Sequence, residues 1–323
     1  MTESLAPIPA HSLPLSARAP GKCIVFGEHA VVHGAPELVF AVDLMTQVFV
    51  TVGAATRLNS DPEAVERNPY LRSALALAWK GGSPLEVRTL SRIPKAAGLG
   101  SSAAFVAGLT AALSSATGGI DRPALAQRSF EIERRAQGVG SPGDTSTAVA
   151  GGFVAVNGGP GDPLWSIDSP EHRWEVRRVS DPGWVWVIAY SGIPRSTADA
   201  VRAVGARLSA PGGPELLEEF RRVATDGIAA VGRGDRASVA ELLQRNQELL
   251  REVGVSHPRL EALIEAARPA AEGAKLTGAG AGGSVVALPI PGREVELVRR
   301  LARAGALPFV VRPTLEGAGL VGE

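Results

Sequence analysis

The sequence contains very little cysteine and lysine, and it has no net charge. Its single cysteine, Cys23, excludes an internal disulfide and a cysteine-rich metal site, and it predicts a reducing compartment. Lys+Arg and Asp+Glu both number 33, and this balance argues against a nucleic-acid-binding protein. Only four basic residues are lysines, so each of them is of interest: Lys22, Lys80, Lys95 and Lys275.

The chain also lacks a long hydrophobic run. The longest apolar stretch, residues 38–52, is interrupted by Asp43 and Gln47 and is too short to cross a bilayer. Residues 1–20 contain an early glutamate and four prolines, and they lack the basic segment and apolar core of an export signal. We therefore expect a cytoplasmic protein that does not bind a membrane, with residues 1–16 forming a loose leader.

The rest of the sequence is typical of a folded globular protein. With 45% apolar and 20% charged residues the chain is not disordered, and its length suits two domains or one large domain. Hydrophobic patterning predicts strands at 23–27, 38–52, 84–91, 151–156, 184–190, 284–290 and 307–312. It predicts helices from residue 104 to about 116 and at 122–138, 214–232, 236–252, 258–271 and 292–304. This interleaving predicts an α/β or α+β protein, with a domain boundary in the Gly- and Pro-rich segment 157–183.

The segment APGKCIVFGEHAVVHG, residues 19–34, places charged side chains at both ends of a short strand. Lys22 follows a Pro-Gly turn at the beginning of this strand, and Glu28 and His29 occupy the turn after it. These side chains are candidates for contacting a ligand. The alternative interpretation is that the glycines only form turns and that His29 is a polar side chain with satisfied hydrogen bonds.

Two glycine-rich loops have the composition of phosphate-binding segments. In AAGLGSSAA, residues 96–104, small residues let a ligand approach the backbone, and the following helix offers N–H groups and a positive dipole end to a phosphate. Ser101 and Ser102 either cap this helix or bind a metal through their hydroxyl groups. The loop KLTGAGAGG, residues 275–283, repeats the pattern, and its glycine density favours contact with a ligand over an ordinary hairpin.

Residues 98–103 also match the dinucleotide-binding pattern G-x-G-x-x-G/A, with Asp121 at a suitable distance beyond them. That pattern needs a tight turn directly after a strand, whereas residues 94–97 separate this loop from the preceding strand. No GxxxxGK[ST] sequence is present, which excludes a Walker A loop. A dinucleotide-dependent oxidoreductase is therefore the weaker interpretation of this loop.

Helical spacing places Glu133 on the mainly apolar stripe of the helix at 122–138, whereas Glu131 lies on the opposite face with two arginines. An inward carboxylate is costly unless it meets a cation or a hydrogen-bond donor. Glu133 is therefore either a metal ligand or one half of a buried ion pair. Eleven residues later, Asp144 lies at a predicted helix start, where it is either an N-cap or a rigidly held general base.

The segment YSGIPRSTADA, residues 190–200, contains the last candidate site. Arg195, Ser196 and Thr197 open a predicted helix directly after a proline turn. An arginine and two hydroxyl groups at a helix start form a good receptor for a carboxylate or a phosphate. An ordinary surface cap is the alternative.

Taken together, these motifs resemble those of the GHMP kinase superfamily. Residues 19–34, 96–104 and 275–283 match its three signature motifs in order and spacing. Within the superfamily, GEHAVVHG, IPRST at 193–197 and NQELLREVGVSHPRLEALIEAAR at 246–268 are similar to the mevalonate kinase family. The resemblance extends from about residue 17 to residue 312, which is nearly the whole chain.

The resemblance implies an α+β fold with two domains. These are an N-terminal ribosomal-S5-like α/β domain that binds ATP, at 17–180, and a C-terminal ferredoxin-like domain, at 181–323. It also implies an ATP- and Mg2+-dependent kinase that converts (R)-mevalonate into 5-phosphomevalonate, in isoprenoid biosynthesis, by phosphorylating the C5 hydroxyl. ATP and mevalonate would be its small-molecule partners, and we expect a homodimer that binds neither nucleic acid nor a membrane.

The resemblance also implies a role for individual residues. Asp144 would be the catalytic base with Lys22 beside it, and Ser102 and Glu133 would bind Mg2+. The implied ATP-binding residues are Lys95, Gly98, Leu99, Gly100, Ser101, Ser102, Ala103, Gly278 and Gly280. The implied mevalonate-binding residues are Lys22, Glu28, His29, Arg195 and Thr197.

Three segments depart from the family pattern. The usual P-A-L after the first motif is Pro36-Glu37-Leu38, the usual PSG-x-D is Gly140-Ser141-Pro142-Gly143-Asp144, and Ala281 replaces a common glycine. The second departure resembles archaeal members and affects the geometry around the catalytic acid. Two alternatives besides the oxidoreductase stay open: a sibling kinase for phosphomevalonate or a sugar, and a non-catalytic ligand sensor on the same scaffold.

Overall fold

The computed structural model describes residues 13–79, 82–94, 96–116, 119–138, 140–194 and 197–322. The strands are β1 (Leu15–Phe26), β2 (Glu37–Val52), β3 (Arg57–Leu58), β4 (Leu85–Ser91), β5 (Phe153–Val156), β6 (Asp162–Asp168), β7 (Arg173–Val179), β8 (Trp186–Tyr190), β9 (Ala271–Thr277), β10 (Ser284–Pro289), β11 (Leu307–Val311) and β12 (Gly319–Leu320). The helices are α1 (Ala64–Arg67), α2 (Pro69–Ala78), α3 (Ser101–Ser115), α4 (Arg122–Gln137), α5 (Gly143–Ala150), α6 (Thr197–Leu208), α7 (Gly213–Arg233), α8 (Arg236–Glu252), α9 (Pro258–Ala267) and α10 (Glu294–Arg303). A short 3-10 helix follows β1 at Ala30–His33.

The N-terminal half is an eight-stranded sheet covered by helices. Its main strand order is β12-β1-β2-β5-β7-β6, with β4 also paired to β2 and the short β3 paired to β4. Helix α3 packs on β1 and β2, and its residues from Ala103 to Leu113 are all buried. Alanine and glycine allow this close approach, because a Cβ at Gly108 would lie 3.2 Å from Val48 Cγ2. Helices α2, α4 and α5 pack around α3 and thereby bring the starts of α3 and α5 to one end of the sheet.

The C-terminal half is a second, four-stranded sheet in the order β11-β8-β10-β9, with every pair antiparallel. Its strands and helices follow each other as strand, helices, two strands, helix, strand, which is the ferredoxin-like arrangement. The predicted α+β class and the predicted ferredoxin-like arrangement of the second half are therefore confirmed. No helix within the described ranges is long and apolar enough to cross a membrane.

The structure differs from the sequence predictions at the two chain ends and in the middle. Leu15 and Ser16, expected in the leader, pair with β2 as the first residues of β1. The expected boundary segment, residues 157–183, contains the hairpin β6–β7, which extends the first sheet through β5. The chain also returns to this sheet after β11, because Pro313 bridges to Val42 and β12 pairs with β1. The domain division at residue 180 stays a prediction. Residues after 312, which it assigns to the C-terminal domain, pair with the first sheet.

Contacts between the two halves lie beside the first motif. Thr277, the last residue of β9, has its Oγ1 3.1 Å from the backbone nitrogen of Ile24 and 2.9 Å from its carbonyl oxygen. The rings of Phe40 and Trp186 stack with centroids 5.5 Å apart. These contacts join β1 and β2 to the second sheet beside the first motif.

Candidate active site

Lys22 and Asp144 form an ion pair at the end of the first sheet. Lys22 follows a register irregularity in β1, and its side chain is 2% exposed. Its Nζ lies 2.9 Å from Asp144 Oδ1 and donates a hydrogen bond of 3.3 Å to the carbonyl oxygen of Gly98. The Asp144 side chain is 30% exposed. A buried ammonium group therefore joins the first glycine loop to an aspartate that solvent or a substrate can reach.

Asp144 does not cap its helix, so the N-cap interpretation is wrong. Helix α5 begins at Gly143, its N-cap is Pro142, and no side chain accepts a hydrogen bond at the cap. Asp144 is the second residue of the helix, and its carboxylate pairs with Lys22 instead. The positive end of the helix dipole also favours an anion at this position.

The loop before α3 needs glycine for two physical reasons. Gly98 and Gly100 have φ of 81° and 70°, in the left-handed region that other residues avoid. A Cβ at Gly100 would lie 2.7 Å from Lys22 Cγ, so the loop backbone packs directly on the lysine side chain. The backbone N–H of Lys22 donates to the carbonyl oxygen of Leu99 at 3.0 Å and fixes this approach.

The hydroxyl groups of Ser101 and Ser102 do not cap α3, because Gly100 occupies the N-cap and no side-chain cap bond forms. The first N–H groups of an α-helix have no intrahelical acceptor, so this end of α3 offers donors to a phosphate. Leu99 and Ala103, also predicted to bind ATP, are buried. Lys95, predicted to bind ATP, lies outside the described residues.

Glu133 lies inside the site, as the helical stripe of α4 predicts. It is buried, whereas Glu131 on the opposite face is exposed. Its Oε1 accepts hydrogen bonds from Ser102 Oγ at 2.9 Å and from Gln137 Nε2 at 3.0 Å. Burial, and then the negative charge of Asp144, raise the pKa of Glu133 to about 7. Because both hydrogen-bond partners are uncharged, the predicted alternative of a buried ion pair is not what the described residues form.

The environment of Glu133 fits a magnesium ion that is bound together with ATP. Among the described residues, no group of three or more histidine, cysteine, aspartate or glutamate side chains could hold a metal alone. Mg2+ commonly binds through one or two carboxylates together with substrate phosphates. Glu133 and Ser102 supply hard oxygen donors, and a divalent cation would hold the Glu133 carboxylate in its ionised form.

A comparison of two α4 variants tests this assignment. We expect Glu133→Gln to lower kcat/KM for Mg2+-ATP by at least about 10- to 100-fold, the range found when residues that hydrogen-bond a metal ligand are removed. Glu131→Gln changes the same charge on the exposed face, so we expect little effect from it. Steady-state kinetics over a range of free Mg2+ concentrations measures both variants. Equal losses in the two variants would contradict the inward position of Glu133.

The second glycine loop supports the first one. Ser284 Oγ donates to the carbonyl oxygen of Ala97 at 2.7 Å and thereby joins β10 to the loop before α3. Gly278 and Gly280 have φ of 80° and 74°, and a Cβ at Gly280 would overlap the carbonyl oxygen of Val255. Ala281, which stands where glycine is common in the family, adopts φ of 55°. The bond from Ser284 therefore joins the end of the second glycine loop to the start of the first.

Glu28 and His29 face the second half of the molecule. Glu28 forms an ion pair with Lys275 in which both side chains are buried, and His29 Nε2 lies 3.0 Å from the carbonyl oxygen of Ala279. These contacts hold the first motif against the third. Arg195 lies outside the described residues, and of Thr197 only the backbone, at the start of α6, is described. The four predicted substrate contacts beyond Lys22 therefore stay predictions.

Sequence reasoning missed the buried carboxyl group of Glu37. This residue begins β2, is 2% exposed, and accepts a hydrogen bond of 2.9 Å from Ser141 Oγ at its Oε2. Burial, and then the charge of Asp144, raise the pKa of Glu37 to about 8. The Pro36-Glu37-Leu38 departure was a visible signal, but nothing in the sequence indicates that this glutamate points toward residues 141–144.

The pH dependence of stability tests the burial of Glu37. A carboxyl group with a raised pKa stabilises the folded state fully below its unfolded pKa of 4.5 and loses that contribution as the pH rises to about 8. Glu37→Gln has no such proton to lose. We therefore expect its free energy of unfolding to rise relative to the unmutated protein between pH 5 and 8, by on the order of 3 kcal/mol. Urea unfolding across this range measures the difference, and a difference that is independent of pH would contradict the buried position.

Comparison with known proteins agrees with this geometry. The sequence model described as GHMP kinases N terminal domain matches residues 68–152, and the one described as GHMP kinases C terminal matches residues 228–307. The chain is 31% identical to the mevalonate kinase of Pyrococcus horikoshii over an alignment that covers 93% of this chain and 96% of the relative. The chain belongs to the GHMP kinase family.

A further relative supports this membership of the GHMP kinase family, and a solved structure has a similar fold. The mevalonate kinase of Methanothermobacter thermautotrophicus is 32% identical, with 89% of this chain and 94% of the relative covered. The crystal structure of L. major mevalonate kinase in complex with R-mevalonate is 22% identical and has a TM-score of 0.75, with 93% of this chain and 96% of that chain covered. This second likeness concerns the fold alone.

Family membership and topology contradict the dinucleotide-binding interpretation of residues 98–103. A dinucleotide fold needs a parallel strand–helix–strand unit around that loop. Here β4, the strand before the loop, pairs antiparallel with β2. The loop between β4 and α3 therefore does not belong to a dinucleotide-binding unit.

Proposed function

We propose that this chain transfers the γ-phosphoryl group of ATP to the C5 hydroxyl of (R)-mevalonate and forms 5-phosphomevalonate. The observation that carries the proposal is the Lys22–Asp144 pair, 2.9 Å apart beneath the first glycine loop. The names of two relatives support the choice of alcohol, because the proteins from P. horikoshii and M. thermautotrophicus, 31% and 32% identical over most of both chains, are mevalonate kinases.

Phosphoryl transfer needs an aligned hydroxyl group, neutralised phosphate charge and an acceptor for the hydroxyl proton. Asp144 is the proposed acceptor, since its carboxylate is partly exposed and the buried Lys22 ammonium lies beside it. Lys22 also stabilises negative charge that develops on the attacking oxygen and the transferred group. Ser102 and Glu133 would hold Mg2+, which neutralises phosphate charge when it is bound.

The ATP phosphates are proposed to bind at the N-terminal end of α3 and the glycine loop before it. Gly98 and Gly100 give the loop its left-handed backbone conformation, and the helix end supplies N–H donors. The hydrogen bond from Ser284 to Ala97 supports this loop from the second half. We also propose that Arg195 and Thr197 bind the mevalonate carboxylate. Only the sequence supports this part of the proposal.

Release of ADP across a panel of alcohols tests the proposal. The purified protein is incubated with ATP, Mg2+ and one acceptor at a time: (R)-mevalonate, 5-phosphomevalonate, galactose or homoserine. We expect turnover with mevalonate to exceed that with each other acceptor by at least about 10²-fold, and phosphorus NMR to show a phosphate monoester. Faster turnover with another acceptor would indicate a sibling kinase, and no turnover with any would favour a ligand sensor.

The proposed homodimer and cytoplasmic location rest on the sequence alone. Sedimentation equilibrium of the purified chain measures the first, and fractionation of the source cells measures the second.

A further inference from the structure

The turn that carries Asp144 is held from two sides. On one side, Lys22 Nζ pairs with Asp144 itself. On the other side, Ser141 Oγ donates to Glu37 Oε2 at 2.9 Å and accepts from the backbone N–H of Gly143 at 3.4 Å. Ser141 therefore connects Glu37, the first residue of β2, to Gly143, the residue directly before Asp144.

The Glu37 carboxyl group also packs against Gly143. A Cβ on Gly143 would overlap Glu37 Oε2, so the carboxyl group lies directly on the backbone of the first turn of α5. Gly143 has no left-handed φ, and the need for glycine here therefore comes from space rather than from backbone conformation. The close contact between the Glu37 carboxyl group and α5 is therefore possible only because residue 143 is glycine.

The support beneath Glu37 is rigid. Glu37 pairs with Val156 of β5 across the sheet, and its side chain is buried. On the helix side, the backbone N–H of Ser146 and the hydroxyl group of Thr145 both donate to the carbonyl oxygen of Pro142. The turn at 141–143 is therefore fixed to α5, and a displacement at Glu37 would move Asp144.

From these contacts we infer that Glu37, acting through Ser141 and Gly143, is a positioning residue that sets where the Asp144 carboxylate lies relative to Lys22. This inference rests on the proposed function only for its kinetic readout. The contact between Glu37 and Ser141 connects the two segments, 36–38 and 140–144, that depart from the family motifs. No other element needs to move for a change at Glu37 to reach the reacting atoms.

A positioning role for Glu37 predicts a specific pattern of kcat values among variants. Glu37→Gln keeps the shape and an acceptor for Ser141, and burial raises the pKa of Glu37 to about 8, so the glutamine also matches the neutral carboxyl group at pH 7. We expect Glu37→Gln to retain kcat within about threefold. Glu37→Ala and Ser141→Ala remove the contact, so we expect kcat to fall by about 10- to 100-fold, the scale of a displacement of roughly 1 Å in an active site.

Gly143→Ala gives an independent test of the same contact. The added methyl group meets the Glu37 carboxyl group, so we expect a loss of kcat similar to that of Glu37→Ala. In the double variant Glu37→Ala/Gly143→Ala the methyl group occupies the vacated space. We therefore expect the double variant to be more active than the product of the two single losses, which is the coupling that contacting residues show.

Matched controls are available away from the site. Ser238→Ala also removes a hydroxyl-to-carboxylate bond, the one of 2.7 Å to Asp235 at the start of α8, and Glu131→Gln removes an exposed carboxylate. Both should leave kcat unchanged. If Glu37→Ala keeps kcat within twofold, or if Glu37→Gln loses as much as Glu37→Ala, the positioning role is overturned.

Hydrogen exchange separates failure of this inference from failure of the proposed function. Protection of the amides at 143–147 in the unliganded protein does not depend on which alcohol is the substrate. We expect protection to decrease in Glu37→Ala and Ser141→Ala and to be kept in Glu37→Gln. If mevalonate is not the substrate, the kinetic arm is repeated with the alcohol that the panel identifies. Unchanged protection in Glu37→Ala would overturn the inference whatever the substrate is.

Discussion

Asp144→Asn should lower kcat by about 10²-fold or more while ATP binding and folding stay nearly intact. A positioned general base contributes about 10²- to 10⁴-fold to a proton transfer. Asparagine has nearly the same shape and can still accept a hydrogen bond from Lys22, which lies 2.9 Å from the aspartate. It cannot take the proton of the substrate hydroxyl. Steady-state kinetics with saturating ATP measures kcat, and titration with a non-hydrolysable ATP analogue measures binding.

Asp121→Asn is the matched control for this variant. Asp121 is exposed and caps α4 in the same half of the molecule, where its carboxylate accepts from the backbone N–H of Ala124. Asparagine caps a helix about as well as aspartate, so we expect no loss of activity. If Asp144→Asn kept more than about a tenth of the unmutated kcat, well short of the loss of a general base, Asp144 would serve only to hold Lys22.

The sequence predicts the burial of residues in the candidate site better than the contacts between them. The helical stripe of α4 is enough to place Glu133 inside and Glu131 outside, because burial on one helix follows its own periodicity. Periodicity does not indicate which group from a distant element meets a buried charge. The buried pair of Glu28 and Lys275, 247 positions apart, is therefore visible only in the folded chain.

The missed strands have a different cause. In residues 157–183 the Gly-, Pro- and Asp-rich composition suggests a linker, yet Ile167 and Trp174 lie buried in β6 and β7. Their apolar side chains alternate with charged ones, and the turns around the hairpin dominate the composition of the segment. Short strands that pair only with each other and with one sheet edge give a weak local signal, and tertiary pairing decides their structure.

Lys22→Met is the second variant for which we expect a large effect. Methionine fills much of the same volume but removes the ammonium group that lies against Asp144 and the carbonyl oxygen of Gly98. Loss of one fixed group that stabilises developing charge costs about 10²- to 10³-fold in kcat. We expect a loss of this size, measured at saturating ATP and mevalonate. Lys22→Arg should not restore activity, because the Lys22 side chain is only 2% exposed and a planar guanidinium is larger than an ammonium group and has a different shape.

A second buried lysine, Lys275, makes it possible to distinguish Lys22 from a merely structural cation. Lys275 and Glu28 are both fully buried, so Lys275→Met leaves an unpaired charge in the interior, which costs about 3–5 kcal/mol of unfolding free energy. Asp144 is 30% exposed and can be hydrated once Lys22 is lost, so Lys22→Met should destabilise the fold much less. The expected contrast is therefore a large loss of kcat with a small change in urea midpoint for Lys22→Met, and a large fall in the midpoint for Lys275→Met. Similar stability losses in both variants, with more than about a tenth of kcat retained by Lys22→Met, would remove Lys22 from the chemistry and make both lysines structural.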